Sequence, residues 1–60
     1  MRKKAIIILA DGFEEIEAIT VIDTLRRAEV EITVCGLDTK EVKGSRDVIV
    51  VADRILSDDE

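Results

Sequence analysis

The hydrophobic positions of this chain fall into runs, and the first run covers residues 5–10. It reads Ala-Ile-Ile-Ile-Leu-Ala, with no polar residue in alternation, and charged residues precede it. A strand with one solvent-exposed face alternates apolar and polar residues, whereas a central parallel strand is apolar throughout. We therefore predict a central parallel strand with both faces buried, ended by a turn at Asp11-Gly12.

Residues 13–28 contain neither proline nor glycine, and their acidic residues come first while their arginines come last. This order suits the helix dipole and predicts a helix of roughly four turns. A helix on a sheet needs only one apolar stripe. Here the apolar residues surround most of the helix, which favours a second buried face; ordinary exposed isoleucine is the alternative. These residues are Ile16, Ala18, Ile19, Val21, Ile22 and Leu25.

A second apolar run at 31–37 predicts a strand, and two shorter strands are predicted at 41–43 and 48–51. The order strand, crossover helix, strand predicts a right-handed βαβ unit with parallel strands. The acidic tail 57–60 is typical of a loop or a helix start, with Ser57 as a candidate N-cap. The chain is thus predicted to be of the α/β class.

The chain has 60 residues, of which 47% are hydrophobic. A domain of this size buries only about 60% of the surface that its unfolded chain exposes. One cysteine and no histidine exclude an internal disulfide and a closed zinc site as additional support. We therefore expect the remainder of a longer chain, or a second subunit, to cover the apolar surface. Residues 1–60 alone are predicted to be largely unfolded or aggregated.

The net charge of −5 and the isoelectric point near 4.6 argue against a nucleic-acid partner, because phosphates would repel the chain. The apolar run at 5–10 is too short to span a membrane. Basic residues precede this run as in a signal peptide, but Asp11 interrupts it and no cleavage site follows. A lone unpaired thiol is typical of a reducing compartment. We predict a soluble, cytoplasmic protein without a membrane partner.

Glu17 is the most informative candidate for chemistry. It lies one turn into the predicted helix, near the carboxyl end of the first strand, where ligands of α/β sheets gather. Partial burial there would raise the pKa of its carboxyl group and suit it to act as an acid or hydrogen-bond donor. Position alone favours the alternative, a solvated glutamate that the helix dipole stabilises.

Cysteine and arginine side chains supply the other candidates. Cys35 lies late in a predicted buried strand with no base beside it, which is typical of a small hydrophobic residue rather than a nucleophile. Arg26, Arg27 and Arg46 could bind an anion or a partner subunit, or could simply be solvated.

Four segments, taken in order, resemble the start of the ThiJ/PfpI family and most closely its DJ-1 branch. They are residues 5–17 (AIIILADGFEEIE), 23–28 (DTLRRA), 32–37 (ITVCGL) and 45–48 (SRDV). The resemblance implies a flavodoxin-like three-layer sandwich with a parallel sheet. Residues 1–60 would be the amino-terminal part of a single such domain, holding only its first βαβ unit and a short hairpin.

The resemblance also implies a function for Glu17. In the family this glutamate hydrogen-bonds a reactive cysteine and helps to hold it as a thiolate; that cysteine and a histidine would lie outside this chain. The whole protein would then be an enzyme without cofactor or metal, of glyoxalase or deglycase type, acting on small α-oxoaldehydes. The segment alone would not be catalytic. Alternatives are a PfpI-type peptidase or amidase, a redox-sensing chaperone of oxidative stress with the same Glu–Cys pair, and an unrelated flavodoxin-like regulatory domain.

The DJ-1 branch is further marked by homodimers that associate through the first helix, here residues 13–28. The resemblance implies that four residues lie at the dimer interface or in its anion-binding pocket: Ile16, Asp23, Arg27 and Arg46. Three positions depart from the branch. Gly44 and Val51 replace common cysteines, and Glu29 stands where relatives often have the glycine that ends the helix.

Overall fold

The computed structural model describes residues 3–56 and contains one helix and five strands within them. In chain order they are β1 (Lys4–Leu9), α1 (Glu15–Arg27), β2 (Glu31–Gly36), β3 (Glu41–Lys43), β4 (Ile49–Val51) and β5 (Arg54–Ile55). Apart from β5, each element was predicted from the sequence, with its ends at most two residues from those observed. The predicted helix start at Ser57 lies outside the described residues.

A parallel sheet joins β1, β2 and β5 in that order, with β2 between the other two. Ala5 is opposite Ile32 and Ile7 is opposite Val34, so the predicted parallel βαβ unit is confirmed. Strand β5 pairs with β2 only where Cys35 and Gly36 meet Arg54 and Ile55. Its two residues are too short a run for the hydrophobic pattern to reveal it.

Strands β3 and β4 form an antiparallel hairpin in which Val42 is opposite Val50. The segment 44–48 connects them and is called the hairpin turn below. The turn is closed by a hydrogen bond from the Gly44 N–H to the Val48 carbonyl, at 2.8 Å. Asp47 adopts a left-handed conformation with φ of 70°, which aspartate tolerates better than most residues. The turn therefore presents several backbone N–H groups on one side.

The core lies between α1 and the face of the sheet that carries Leu9 and Val34. Ala18 and Ile22 point into it from the helix, four residues apart and thus on the same face. The hairpin contributes Val42, which is 2% exposed. The buried cluster consists of Leu9, Ala18, Ile22, Ile32, Val34, Val42 and Ala52. This packing fixes the start of α1 above the carboxyl end of β1.

The prediction that β1 is buried on both faces is wrong within residues 3–56. Strand β1 is an edge of the sheet, and Ile6 and Ile8 are 62% and 51% exposed. The continuous apolar run indicates a strand made for two covered faces. Residues 3–56 contain only one helix, and it covers the opposite face, so the side of Ile6 and Ile8 is left open.

The helix likewise has apolar residues that its own sheet does not cover. Ile16 is 82% exposed, and Val21 and Ile19 are 45% and 43% exposed. At the end of the helix, Glu29 takes the left-handed conformation, with φ of 66°, that glycine adopts at lower cost. The Val30 N–H then bonds to the Leu25 carbonyl at 2.9 Å and closes the last turn. Glu29 thus performs the terminating role expected of a glycine.

Among residues 3–56, α1 is the one helix of appreciable length, and it is neither long nor apolar enough to cross a membrane.

Candidate functional site

The loop after β1 is tied by hydrogen bonds to β3 and the hairpin turn. The Gly12 N–H bonds to the Lys43 carbonyl and the Ser45 N–H to the Phe13 carbonyl, both at 2.8 Å. The Asp11 carboxylate accepts from the Lys43 N–H at 3.2 Å. Gly12 has φ of 90°, which a residue with a side chain rarely adopts. The residues that lead into α1 are therefore bonded to β3 and to the hairpin turn.

Glu15, the first residue of α1, extends this attachment with its side chain. Its Oε2 accepts hydrogen bonds from the Arg46 N–H at 2.6 Å and from the Val48 N–H at 3.3 Å. The Ser45 hydroxyl donates to Oε1 at 3.3 Å. Glu15 is 9% exposed, and it is the one charged residue buried among residues 3–56. A concave row of backbone N–H groups is a typical site for an anion, and here the anion is a side chain of the same chain.

These contacts change the acidity of Glu15. Burial acts to raise the pKa of its carboxyl group. Hydrogen bonds from the N–H groups of Glu15, Arg46 and Val48 and from the Ser45 hydroxyl outweigh burial and lower the pKa below its usual value. The unfolded chain therefore binds a proton more tightly at this position. The stability that the ionised carboxylate contributes is complete above the unfolded pKa and is lost as the pH falls through the folded pKa.

Gly44 provides the space that the Glu15 carboxylate occupies. A Cβ atom on residue 44 would lie 2.6 Å from Glu15 Cγ, and still closer to the carboxyl carbon and Oε2. Gly44 is itself buried in the hairpin turn. Any larger residue at position 44 must therefore displace the Glu15 side chain from its present site.

Glu17 lies in the first turn of α1, two residues after Glu15. Its side chain is exposed and makes no hydrogen bond or ion pair within the part of the chain that the structure describes. The partial burial expected from the sequence is not found there, because nothing in residues 3–56 packs over this side of the helix start. Glu17 is consequently open to a group that approaches from outside these residues.

A small cavity of about 110 Å³ lies between the carboxyl ends of β1 and β2. Residues 9–11 and 37–39 line it together with Val42, and Glu17 is not among the lining residues. The carboxyl edge of a parallel sheet is where ligands of α/β proteins bind. Within residues 3–56, the cavity and Glu17 are thus separate features of the same end of the sheet.

The remaining residues considered for the site lie on α1, on the hairpin turn and in β2. On α1, Asp23 and Arg27 form an exposed ion pair at 3.1 Å, one turn apart, and Ile16 is exposed on the same helix. On the hairpin turn, Arg46 is held through its backbone by Glu15. Cys35 is 0% exposed, as predicted for a small hydrophobic residue.

Glu15 is not distinguished from its neighbours by the sequence. Glutamates at positions 14, 15 and 17 all suit the positive end of a helix, and only the fold shows which of them turns inward. Its partners lie about thirty residues later in the chain, a separation that local pattern does not reach. Within residues 3–56, no group of three or more histidine, cysteine, aspartate or glutamate side chains could hold a metal ion.

Comparison with known proteins assigns the chain to a family. Residues 3–60 match the model of the DJ-1/PfpI family. The chain belongs to the DJ-1/PfpI family. The family resemblance predicted from the sequence and the flavodoxin-like α/β fold are both confirmed.

Three relatives illustrate the match. Protein dj-1beta of Drosophila melanogaster is 50% identical over 58 residues, which are 95% of this chain and 31% of that protein. Superposition of this chain on the crystal structure of that protein gives a TM-score of 0.91 at 47% sequence identity. It covers 97% of this chain and 32% of the other. The structure of oxidised Toxoplasma gondii DJ-1 has a TM-score of 0.87 to this chain at 46% identity. The match covers 92% of this chain and 30% of the other. The structure of a cysteine-to-alanine mutant of a DJ-1 superfamily protein from Salmonella typhimurium has a TM-score of 0.88 at 38% identity. The match covers 93% of this chain and 31% of the other. The chain thus spans about a third of the length of these relatives.

Proposed function

We propose that residues 1–60 form the amino-terminal part of a single DJ-1/PfpI domain whose whole protein carries out cysteine-thiolate chemistry on small α-oxoaldehydes. The observation that carries this proposal is the family match over residues 3–60, combined with the position of Glu17 in the first turn of α1. That glutamate follows the carboxyl end of β1, the edge of the sheet where α/β proteins react with their ligands.

In the proposed reaction, a cysteine thiolate from a later segment adds to the aldehyde carbon of the substrate. The carboxyl group of Glu17 gives and takes the protons that accompany this addition and the following rearrangement. The rearrangement turns the adduct into the thioester of an α-hydroxy acid by moving hydrogen between its two carbons, so no external oxidant or reductant is needed. One water then breaks the carbon–sulfur bond, which releases the hydroxy acid and returns the free cysteine. This chemistry requires neither a cofactor nor a metal.

The exposure of Glu17 supports this role. Within residues 3–56 its carboxyl group has no partner that would have to be displaced before a sulfur atom could reach it. Cys35 does not serve as that sulfur, because it is 0% exposed inside the sheet. The nucleophile therefore has to come from a segment other than residues 3–56.

We further propose that the whole protein is a cytoplasmic homodimer that associates through α1. Ile16 and Ile19 are neighbours on the surface of this helix and are 82% and 43% exposed, and an exposed apolar patch is typical of an interaction site. Asp23 and Arg27 lie on the same helix, and Arg46 on the neighbouring hairpin turn supplies a further charge for this interface. The single unpaired thiol of the chain suits a reducing compartment.

A redox sensor or chaperone in oxidative stress is the second candidate. It is favoured by the Toxoplasma gondii relative, 46% identical, whose structure was determined in an oxidised form. In this function the same cysteine is oxidised, and Glu17 stabilises the oxidised sulfur through a hydrogen bond. Both candidates use the same pair of groups, so only the chemistry of the whole protein separates them.

Two assays on the whole protein separate the candidates. We expect it to convert methylglyoxal, and we expect the variant with its nucleophilic cysteine changed to alanine to have no activity above background. Mass spectrometry after mild peroxide treatment then reports oxidation of that cysteine. Absence of methylglyoxal turnover, with the cysteine readily oxidised, would refute the enzyme and favour the sensor.

A further inference from the structure

The first turn of α1 lacks the usual side-chain cap. Glu14 occupies the N-cap position, and its side chain makes no capping hydrogen bond. Helices commonly satisfy their first N–H groups with a serine, threonine, aspartate or asparagine at this position. The start of this helix must therefore be held in place by other contacts.

The Glu15 carboxylate provides such a contact, because it joins the helix start to the hairpin turn. It accepts hydrogen bonds from the Arg46 and Val48 N–H groups, and both of these donors belong to the turn. The buried position of Glu15 makes the link strong, since a buried carboxylate without donors is costly. A movement of the helix start relative to the hairpin turn would break these hydrogen bonds.

Gly44 shows that the turn is shaped around this carboxylate. The three atoms closest to a Cβ placed on residue 44 all belong to the Glu15 side chain. Its backbone does not have the positive φ that would by itself demand glycine. In this structure the space beside position 44 is therefore taken by the Glu15 side chain, and the conformation of the turn does not itself demand glycine.

Glu17 is the next acidic residue of the same helical turn, so the direction of its side chain depends on how that turn is placed. Misplacement of a reacting group by about 1 Å costs on the order of 100-fold in rate. We propose that Glu15 is a positioning residue: by locking the hairpin turn to the start of α1, it aims Glu17 at the reactive cysteine. This inference rests on the proposed function of Glu17.

The test measures how the cysteine of the whole protein reacts with iodoacetamide as a function of pH, because the midpoint of that profile reports its thiolate. Glu17→Ala is expected to raise the midpoint. Glu15→Ala is expected to raise it in the same direction and to lower kcat for methylglyoxal about tenfold. Glu15→Gln keeps one acceptor oxygen and should fall between Glu15→Ala and the unchanged protein. Glu14→Ala, one residue away and without a side-chain bond, is the matched control and should leave the midpoint unchanged.

Gly44→Ala provides a second route that leaves Glu15 in the sequence. It should shift the midpoint by itself, and it should have no further effect in the Glu15→Ala background, where the clashing side chain is gone. Circular dichroism of every variant verifies that it is folded.

The outcomes are distinguishable. A midpoint moved by Glu17→Ala but not by Glu15→Ala or Gly44→Ala overturns the inference and leaves the proposed function standing. A midpoint that Glu17→Ala does not move overturns both. An equal shift from Gly44→Ala with and without Glu15 also overturns the inference, since the effect would not pass through the carboxylate.

Discussion

Glu17→Gln in the whole protein is expected to lower kcat for methylglyoxal about 100-fold or more. Glutamine has nearly the same shape as glutamate and can still donate a hydrogen bond to sulfur, but it cannot take up and return a proton. Loss of a positioned acid or base typically costs at least this factor. Because the substitution changes proton transfer rather than binding, KM should change much less than kcat. Steady-state kinetics at several pH values measure both constants.

Glu14→Gln removes the same charge from a neighbouring exposed position and is the matched control for this experiment. It should retain nearly full activity, since Glu14 makes no side-chain bond at the helix start. Equal losses from both variants would show that the negative charge around the helix start, and not the carboxyl group of Glu17, supports turnover. A Glu17→Gln variant as active as the unchanged protein would refute the acid–base role.

Gly36→Ala is expected to lower the free energy of unfolding by about 1–3 kcal/mol, the usual cost of forcing extra volume into a packed core. A Cβ atom at this position, at the end of β2, would overlap the Thr39 carbonyl oxygen and lie 2.9 Å from its carbonyl carbon. Val42 Cγ2 would be 3.1 Å away. Backbone atoms cannot rotate aside, so the chain between β2 and β3 has to shift. Urea denaturation of the whole protein measures the change.

Gly44→Ala in the Glu15→Ala background is the matched control. It introduces the same methyl group where Glu15, whose side chain supplies the three atoms nearest to that methyl, has been removed. Relative to Glu15→Ala alone, its cost should be clearly smaller than that of Gly36→Ala. The reverse order of stability would contradict the placement of Thr39 against Gly36.

Much of the fold could be predicted from local pattern. The apolar run before Asp11 and the charge order between residues 13 and 28 are local signals, and both gave elements within two residues of their observed ends. Strand β5 could not be predicted, because Arg54–Ile55 pairs with β2 through contacts that a two-residue run does not encode. The open face of Ile6 and Ile8 was missed for a related reason: an apolar run predicts that a face is made to be covered, but does not identify the segment that covers it.

The candidate site was predicted less completely. Glu17 was singled out by its position and by the family resemblance, and its role remains a prediction. Glu15 was not singled out, because Arg46 and Val48 approach it across the fold. From the sequence, the glycine at position 44 is only a departure from the DJ-1 branch. The structure gives it a physical reason, since its missing side chain leaves room for a buried carboxylate.

A crystal structure of the whole protein tests the account most directly, through the distance between the Glu17 carboxyl oxygens and the sulfur of the nucleophilic cysteine. We predict that one oxygen lies within hydrogen-bond distance of that sulfur, with the later segment covering the start of α1. A Glu17 side chain that still points into solvent, with every thiol beyond its reach, would contradict the proposed mechanism.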